Sequence, residues 1–391
     1  MEIILQIFTG GYKGRAVSHE AVEQKLLSVL PRLPVRKVIM GWALDKTLYE
    51  KTAAFLKQRN IEFYLWFPVF SETGAIRELS PLEDYQGSTI QNQGHGEEDF
   101  SFCCPNNPQN IERIIDIFDT EFSSIPITGV FLDKIRYPSF ANGSGAGQGL
   151  KNVFSCFCPH CLGHYEEEKF DTGYLKTKFS LSSASPLGIL GYNFNGNYAF
   201  EDSGLSQFLL LKAQFISRGI WRIYNYLREK NYKIGLDVFA PFLAPFAGQD
   251  LKTLAGLCDF MKPMMYRITE APAGLPYETE ALLRETGIDD PVKKRIFLEL
   301  LGINSHKSPF DLDFAVKELE KLAALSACPI YAGMEINRKP GLAEADPEYI
   351  EKTAAAYLNS GCRGIVLSWD LLEAPLENIA VLEKLFQKNF G

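Results

Sequence analysis

Eight short apolar segments, rich in β-branched and aromatic residues, alternate along the chain with amphipathic segments of helical periodicity. An apolar run without polar alternation is typical of a parallel strand that is covered by helices. Eight such strand–helix units favour a closed (β/α)8 TIM barrel of the α/β class over an open sheet. The eight predicted strands cover residues 2–10, 37–44, 62–70, 129–138, 233–241, 259–267, 329–337 and 364–370.

One further apolar segment, residues 292–303, has features of both a strand and a helix. Its apolar residues also fit helical spacing, and its leucine and glutamate residues favour helix. We therefore predict a helix there, which keeps the strand count at eight.

Two connections between strands are much longer than the usual loops of a barrel. Residues 71–108 follow the third predicted strand, and residues 139–203 follow the fourth. Both would lie at the carboxyl ends of the strands, where barrel enzymes carry their active sites. We predict a single barrel domain over residues 1–391 with these two insertions at its active-site face.

The net charge of -8 and the lack of a dense Lys/Arg run argue against nucleic acid as a partner. No apolar stretch approaches the roughly 18–20 residues that a membrane span needs. The first residues, MEIILQIFTGGYKG, do not resemble a signal peptide, so we expect a cytoplasmic protein. The oligomeric state stays open.

The predicted strands end in acids, aromatic residues and an amide, which suit carbohydrate chemistry. Carboxylates supply the acid and the base or nucleophile of glycosidic cleavage, and aromatic rings stack on sugars. The five histidines are scattered, and no dinucleotide-binding, P-loop or serine-hydrolase motif is present. The candidate substrate-binding and catalytic residues are Trp42, Trp66, Asp133, Arg136, Tyr137, Asp237, Tyr266, Arg267, Glu335, Asn337, Trp369 and Asp370.

Three of these carboxylates are the candidate catalytic residues. One assignment makes Glu335 the nucleophile and Asp133 the acid/base, and the alternative makes Asp133 the nucleophile and Asp237 the acid. Structural roles compete with both. Asp133 and Asp237 are also suited to cap the elements that follow them, Asp133 is suited to pair with Arg136, and Glu335 is suited to pair with Arg338.

The stretch GVFLDKIRYP resembles the strand-four motif, hydrophobic–Asp–x–x–Arg–Tyr–Pro, of a family of bacterial glycoside-hydrolase-like barrels. DFMKPMMYR is similar to the strand-six motif of that family, and YAGMEIN is similar to its strand-seven ending. The resemblance covers roughly residues 1–380 and implies a (β/α)8 fold and a glycan-type substrate. The matching family positions are Asp133, Arg136, Tyr137, Pro263, Tyr266 and Glu335.

Three of the eight cysteines, Cys156, Cys158 and Cys161, fall within six residues in the second insertion. Three closely spaced thiols suit a tetrahedral thiophilic metal such as zinc. We predict Cys104 of the first insertion as the fourth ligand, with Cys103, His160 and His164 as alternatives. A structural zinc would then join the two insertions, and we expect no organic cofactor.

The sequence therefore predicts a glycoside hydrolase that binds a carbohydrate at the barrel mouth through paired carboxylates. A glycan-binding barrel without catalysis and a zinc-thiolate-dependent enzyme are the alternatives. A closed four-thiolate site away from the mouth would exclude the zinc enzyme, because catalytic zinc needs an open coordination position.

Overall fold

A computed structural model gives the fold, and it describes residues 1–10, 16–74, 76–96, 100–143, 148–180, 187–193, 197–288 and 290–390. Small parts of both predicted insertions lie outside the described residues, namely residues 75, 97–99, 144–147, 181–186 and 194–196.

Eight parallel strands, β1 to β8, form the sheet, in the spatial order β6–β5–β4–β3–β2–β1–β8–β7. Single parallel bridges, Met261 to Ile330 and Met264 to Gly333, join the two outer strands β6 and β7 and complete the ring. The predicted (β/α)8 barrel is therefore confirmed. The strand bounds are β1 Glu2–Phe8, β2 Val35–Gly41, β3 Glu62–Pro68, β4 Gly129–Asp133, β5 Lys233–Val238, β6 Phe260–Pro263, β7 Tyr331–Glu335 and β8 Gly364–Ser368.

Helices follow the strands and cover the outside of the barrel, where the larger apolar core lies between the two layers. The helices are α1 His19–Val29, α2 Lys46–Lys57, α3 Pro108–Glu121, α4 Gln148–Val153, α5 Pro159–Glu167, α6 Thr172–Ser180, α7 Ser203–Glu229, α8 Leu251–Ala255, α9 Leu275–Glu285, α10 Pro291–Leu301, α11 Leu312–Leu325, α12 Pro347–Leu358 and α13 Leu376–Phe390.

The ambiguous segment 292–303 is helical, as predicted, and forms α10. The Asp290 side chain caps this helix by accepting hydrogen bonds from the backbone N–H groups of Val292 and Lys293. Pro291 occupies the first turn, where its missing N–H costs no hydrogen bond.

Short antiparallel ribbons of two strands each lie in the connections that follow the carboxyl ends of β3, β4 and β7. Two ribbons and the start of α3 lie in residues 71–108, and α4, α5, α6 and one ribbon lie in residues 139–203. The ribbons pair Ser71–Glu72 with Ser101–Phe102, Leu82–Glu83 with Thr89–Ile90, Ile189–Asn193 with Asn197–Phe200, and Arg338–Lys339 with Ala343–Glu344.

Strand β4 ends at Asp133, earlier than the sequence pattern predicts. The next residue, Lys134, has a backbone φ of 50°, a left-handed conformation that few non-glycine residues adopt and that ends a strand. The residues that follow therefore leave the sheet and form the wall above it.

Alternate residues of each strand face the barrel interior, which is filled largely by aromatic rings. Phe8, Trp66, Phe131, Phe260 and Tyr331 belong to this inner cluster. Polar side chains follow at the carboxyl ends of the same strands, so the interior changes from an apolar floor to a polar mouth. Among the described residues, every helix is too short or too polar to cross a membrane.

Candidate active site

A cavity of about 470 Å³ opens at the carboxyl ends of the strands. Its inner wall comes from strand ends, and its outer wall comes from the loops that follow β3, β4, β6 and β7. The lining includes Phe8, Trp42, Trp66, His95, Phe100, Asp133, Lys134, Arg136, Asn142, Asp237, Met264, Tyr266, Thr269, Lys339, Leu342 and Trp369.

Asp133 is the last residue of β4, and its carboxylate is held by two donors. The indole Nε1–H of Trp66 donates to Oδ2 at 2.9 Å, and the backbone N–H of Lys134 donates to Oδ1. Both groups can only donate, so they suit an ionised carboxylate, which only accepts. The side chain is 7% exposed, and this exposed part faces the cavity.

Asp237 on β5 is the second acid of the cavity. Lys262 of β6 donates to its Oδ2 at 2.9 Å, whereas Oδ1 has no hydrogen-bond partner among the described residues. Burial raises the pKa of Asp237 to about 7; the negative charge of Asp133 acts in the same direction, and the ammonium of Lys262 opposes both. This carboxyl group can therefore hold or release a proton near neutral pH.

The register of the barrel brings the two acids together. Leu132 of β4 pairs with Leu236 of β5, so Asp133 and Asp237 follow at the same level of adjacent strands. Neighbouring strands are about 4.8 Å apart, and both side chains line the cavity. The result is a pair of carboxyl groups with different hydrogen-bond environments.

Lys262 lies beneath the cavity and is completely buried. Its ammonium group donates to Asp237, to Gln6 Oε1 at 3.0 Å and to the Tyr266 hydroxyl at 2.6 Å, so all three N–H groups are used. Gly333 provides the space for this side chain, because a Cβ atom there would lie 2.6 Å from Lys262 Cε.

Aromatic rings form one side of the cavity. Trp42 and Trp66 meet edge to face with their centroids 5.2 Å apart, and Phe8 meets Trp42 at the same distance. Trp369 and Tyr266 also line the space. Trp42, Trp66, Tyr266 and Trp369 therefore all line the cavity, and their contact with a sugar stays a prediction.

Cationic groups from the loop after β4 also line the cavity, and the Lys134 ammonium lies 4.9 Å from the centroid of the Trp42 ring. The Lys134 ammonium lies 3.2 Å from the centroid of Phe100, and Arg136 Nη1 donates to Asn142 Oδ1 at 3.1 Å. The sequence analysis identified Arg136 but missed Lys134. The position of Lys134 directly after the candidate acid Asp133 was the signal that could have identified it. His95, Phe100 and Asn142 come from long loops, and no periodicity in those loops marks them.

Glu335 ends β7, but its carboxylate is taken up by the protein. Oε1 accepts from the backbone N–H groups of Ile268 and Thr269 and from the Thr269 hydroxyl, and Oε2 accepts from the Tyr349 hydroxyl. The side chain is fully buried and is not among the residues that line the cavity. This placement favours a positioning role, in which Glu335 holds the loop after β6, over the predicted role of nucleophile. Arg338 pairs with Glu377 instead.

Four other predicted substrate contacts also lie outside the cavity lining. Arg267 donates to Phe310 O and to the Thr353 hydroxyl, and Asp370 accepts from the backbone N–H groups of Phe8 and Leu372. Tyr137 packs under the ammonium of Lys212, and Asn337 is fully buried. The contacts of Arg267, Asp370 and Tyr137 fit structural roles, whereas the buried Asn337 amide has no hydrogen-bond partner among the described residues.

The four predicted thiol ligands come together in a buried cluster. The Sγ atoms of Cys104, Cys156, Cys158 and Cys161 all lie within 4.8 Å of one another, and Cys104 Sγ is 3.5 Å from both Cys158 Sγ and Cys161 Sγ. A tetrahedral zinc with Zn–S bonds of about 2.3 Å places its sulfurs roughly 3.8 Å apart. The four residues therefore fit a single metal ion with a closed thiolate shell.

Two backbone N–H groups donate to the cluster. The backbone N–H of Glu83 donates to Cys156 Sγ at 3.3 Å, as does that of Cys158 at 3.5 Å. Burial lowers the pKa of the completely buried Lys212, and negative charge on Cys156 and Cys161 opposes this by favouring its ammonium form. Among the alternatives, His160 is exposed, and neither His160, His164 nor Cys103 belongs to the cluster.

No family model matches the chain, and no curated protein matches it. Among solved structures, the PgaB (BpsB) glycoside hydrolase domain from Bordetella bronchiseptica superposes with a TM-score of 0.60 at 11% identity, covering 98% of each chain. The spore cortex-lytic enzyme SleL from Bacillus megaterium QM B1551 gives 0.47 at 10% identity, covering 100% of this chain and 74% of that one. The Group II chitinase catalytic domain 2 from Ostrinia furnacalis gives 0.48 at 9% identity, covering 99% and 96%. At these identities, the similarity to the PgaB domain shows a shared barrel fold.

Proposed function

We propose that this protein is a glycoside hydrolase that uses Asp133 and Asp237 as its catalytic pair. The observation that carries the proposal is the placement of two carboxyl groups at the same level of adjacent strands, in a cavity with an aromatic wall. The chain shares its barrel fold with the PgaB domain, which is named as a glycoside hydrolase domain. This similarity supports glycoside hydrolysis as the reaction class.

The two acids have the division of labour that glycosidic cleavage needs. Asp237, whose pKa is raised to about 7, is the general acid that protonates the leaving oxygen. Asp133, oriented by Trp66 and the backbone of Lys134, is the carboxylate that attacks the anomeric carbon or activates water. This is the second of the two assignments that the sequence left open.

The remaining lining residues bind the sugar. The rings of Trp42, Trp66 and Trp369 stack on the apolar faces of a pyranose and exclude water from the reacting bond. Arg136 and Asn142 supply hydrogen bonds for hydroxyl groups. A cavity of about 470 Å³ has room for a short glycan segment, so we expect the reaction to take place on one or two bound sugar units.

We further propose that the cysteine cluster holds a structural zinc. Four thiolates fill the tetrahedral shell and leave no position for substrate. None of the four ligands lines the cavity. These two observations argue against the alternative of a zinc-thiolate enzyme. All eight cysteines are unpaired, which fits the reducing compartment that the sequence analysis predicts.

A panel of aryl glycosides and oligosaccharides, assayed with wild type and with Asp133→Asn, Asp237→Asn and Glu335→Gln, tests the proposal. We expect both Asp variants to lose turnover and to keep their sugar-dependent tryptophan fluorescence. Asp133→Asn should lower the melting temperature only slightly, whereas Asp237→Asn should lower it more, because the buried ammonium of Lys262 loses its charge partner. Glu335→Gln should lower the melting temperature, because the carboxylate holds two backbone N–H groups. A Glu335→Gln variant that is stable and inactive, beside an active Asp237→Asn variant, would overturn our assignment. Sugar binding without cleavage by the wild type would identify the barrel as a binding protein.

A further inference from the structure

The end of the barrel opposite the cavity carries a second group of thiols. Cys258 lies two residues before β6 and Cys328 lies three residues before β7, and their Sγ atoms are 3.3 Å apart. Neither residue belongs to the metal cluster, and neither lines the cavity. The pair therefore needs an explanation of its own.

The position of the pair in the sheet is distinctive. Strands β6 and β7 are the two outer strands of the sheet, and single bridges at Met261–Ile330 and Met264–Gly333 join them. The other neighbouring strands pair through longer ladders, such as the unbroken one between β3 and β4. Cys258 and Cys328 thus lie at the amino end of the seam where the barrel closes.

Solvent reaches this pair from the surface. Cys258 is partly exposed, and Cys328 lines an open recess of about 420 Å³ together with Cys362 and Arg363. A hydrogen bond from the Cys258 thiol lowers the pKa of the Cys328 thiol, and Ser326 Oγ lies 3.4 Å from the Cys328 sulfur. Cys328 is therefore the better nucleophile of the two, since the thiolate is the reactive form.

We propose that Cys258 and Cys328 form a reversible disulfide that closes the β6–β7 seam, by exchange with a small-molecule disulfide such as oxidised glutathione. A disulfide bond of about 2.05 Å requires the two sulfurs to approach by about 1.2 Å, a movement that side-chain rotation can supply. The site is independent of the proposed glycosidase activity.

The exchange takes place in two steps. The Cys328 thiolate attacks one sulfur of the small disulfide, so that a mixed disulfide forms and one small thiolate leaves. Cys258 then loses its proton, attacks the Cys328 sulfur and expels the second small thiolate. The two protein thiols give up two electrons and two protons, and the small disulfide is reduced to two thiols.

The test is to incubate the metal-loaded, full-length protein with excess oxidised glutathione, trap the remaining thiols by alkylation and map the peptides without reduction. We expect a Cys258–Cys328 cross-linked peptide that dithiothreitol removes, while the peptides of the metal cluster stay uncross-linked. The oxidised protein should melt roughly 3–6 °C higher than the reduced protein, because the cross-link closes a long loop of the unfolded chain.

Matched serine variants complete the experiment. Cys258→Ser should leave Cys328 as a stable mixed disulfide with glutathione, and Cys328→Ser should remove both the cross-link and the rise in melting temperature. Cys362→Ser, in the same recess, should change neither. Recovery of Cys258 and Cys328 as free thiols in the native wild type, or a Cys328–Cys362 cross-link, would overturn the proposal whatever the variants do.

Discussion

Lys262 should set the protonation of Asp237, and Lys262→Met is the variant that shows this. Methionine keeps most of the length of the lysine side chain but removes the ammonium, 2.9 Å from Asp237 Oδ2. An opposite charge at this range lowers a carboxyl pKa by about 1–3 units. The pKa of Asp237, about 7 in the wild type, should therefore rise by roughly 1–3 units, equivalent to about 1.4–4 kcal/mol.

A carboxyl NMR titration of aspartate-labelled protein measures this shift directly, with Asp237→Asn to assign the signal. The groups that face Asp237 are Asp133, Arg136, Lys262 and Tyr266, and only the lysine is changed. If Asp237 is the general acid, the alkaline limb of the pH–rate profile should move upward with its pKa, since more acid stays protonated.

Lys339→Met provides the matched control. This lysine also lines the cavity, but it lies exposed at the rim, where water screens its charge. We expect it to move the Asp237 pKa only slightly. An unchanged or lowered Asp237 pKa in Lys262→Met, or equal shifts in both variants, would refute the role of Lys262.

Three further predictions follow from the site, the metal cluster and the core. Asp133→Asn should cut turnover by about 10²–10⁴-fold and lower the melting temperature only slightly, because the single amide oxygen can still accept from one of the two N–H donors, Trp66 or Lys134; turnover and thermal unfolding check this. Chelation or Cys104→Ser should remove about one zinc per chain and speed hydrogen exchange in residues 71–108 and 139–203 more than in the strands; elemental analysis and exchange mass spectrometry test this. Burial raises the pKa of Glu318 to about 7, so the folded state keeps a proton on this group at pH values where the unfolded state has lost it. The free energy of unfolding of the wild type should therefore fall by about 3 kcal/mol as the pH rises from about 4.5 to 7. Urea unfolding across this pH range should show a flatter profile for Glu318→Gln.

The strands and the helix α10 were predictable because burial leaves a direct mark on the sequence. Each parallel strand is covered on both sides, so it appears in the sequence as an apolar run. The predicted segments contain seven of the eight strands and overlap the other, β2, which begins two residues before the predicted segment 37–44. The strand ends then pointed to Asp133 and Asp237. Lys262 could also have been predicted as an interior residue. It lies two residues after Phe260, and alternate residues of a strand face the same side.

The part of the site that the sequence could not predict depends on contacts between distant residues. Glu335 occupies a strand end like Asp133, but Thr269 and Tyr349 reach it from other loops and helices and take up its oxygens. Cys103 and Cys104 are adjacent, and only the course of the chain brings one of them to the cluster. No local sequence pattern predicts the contacts of Glu335 or the choice of Cys104 over Cys103.

A chain of hydrogen bonds connects the cysteine cluster in the second insertion to the cavity. Asn142, which lines the cavity, donates to Gln93 O at 3.0 Å, and its own carbonyl accepts from Asn152 Nδ2 at 2.7 Å. The Asn152 carbonyl accepts from Ser155, the residue before Cys156. A metal bound to Cys156 would therefore also hold the loop that places Asn142 and Arg136 at the cavity. We therefore expect a metal bound at the cysteine cluster to stabilise the part of the cavity lining that carries Arg136 and Asn142, without taking part in the chemistry.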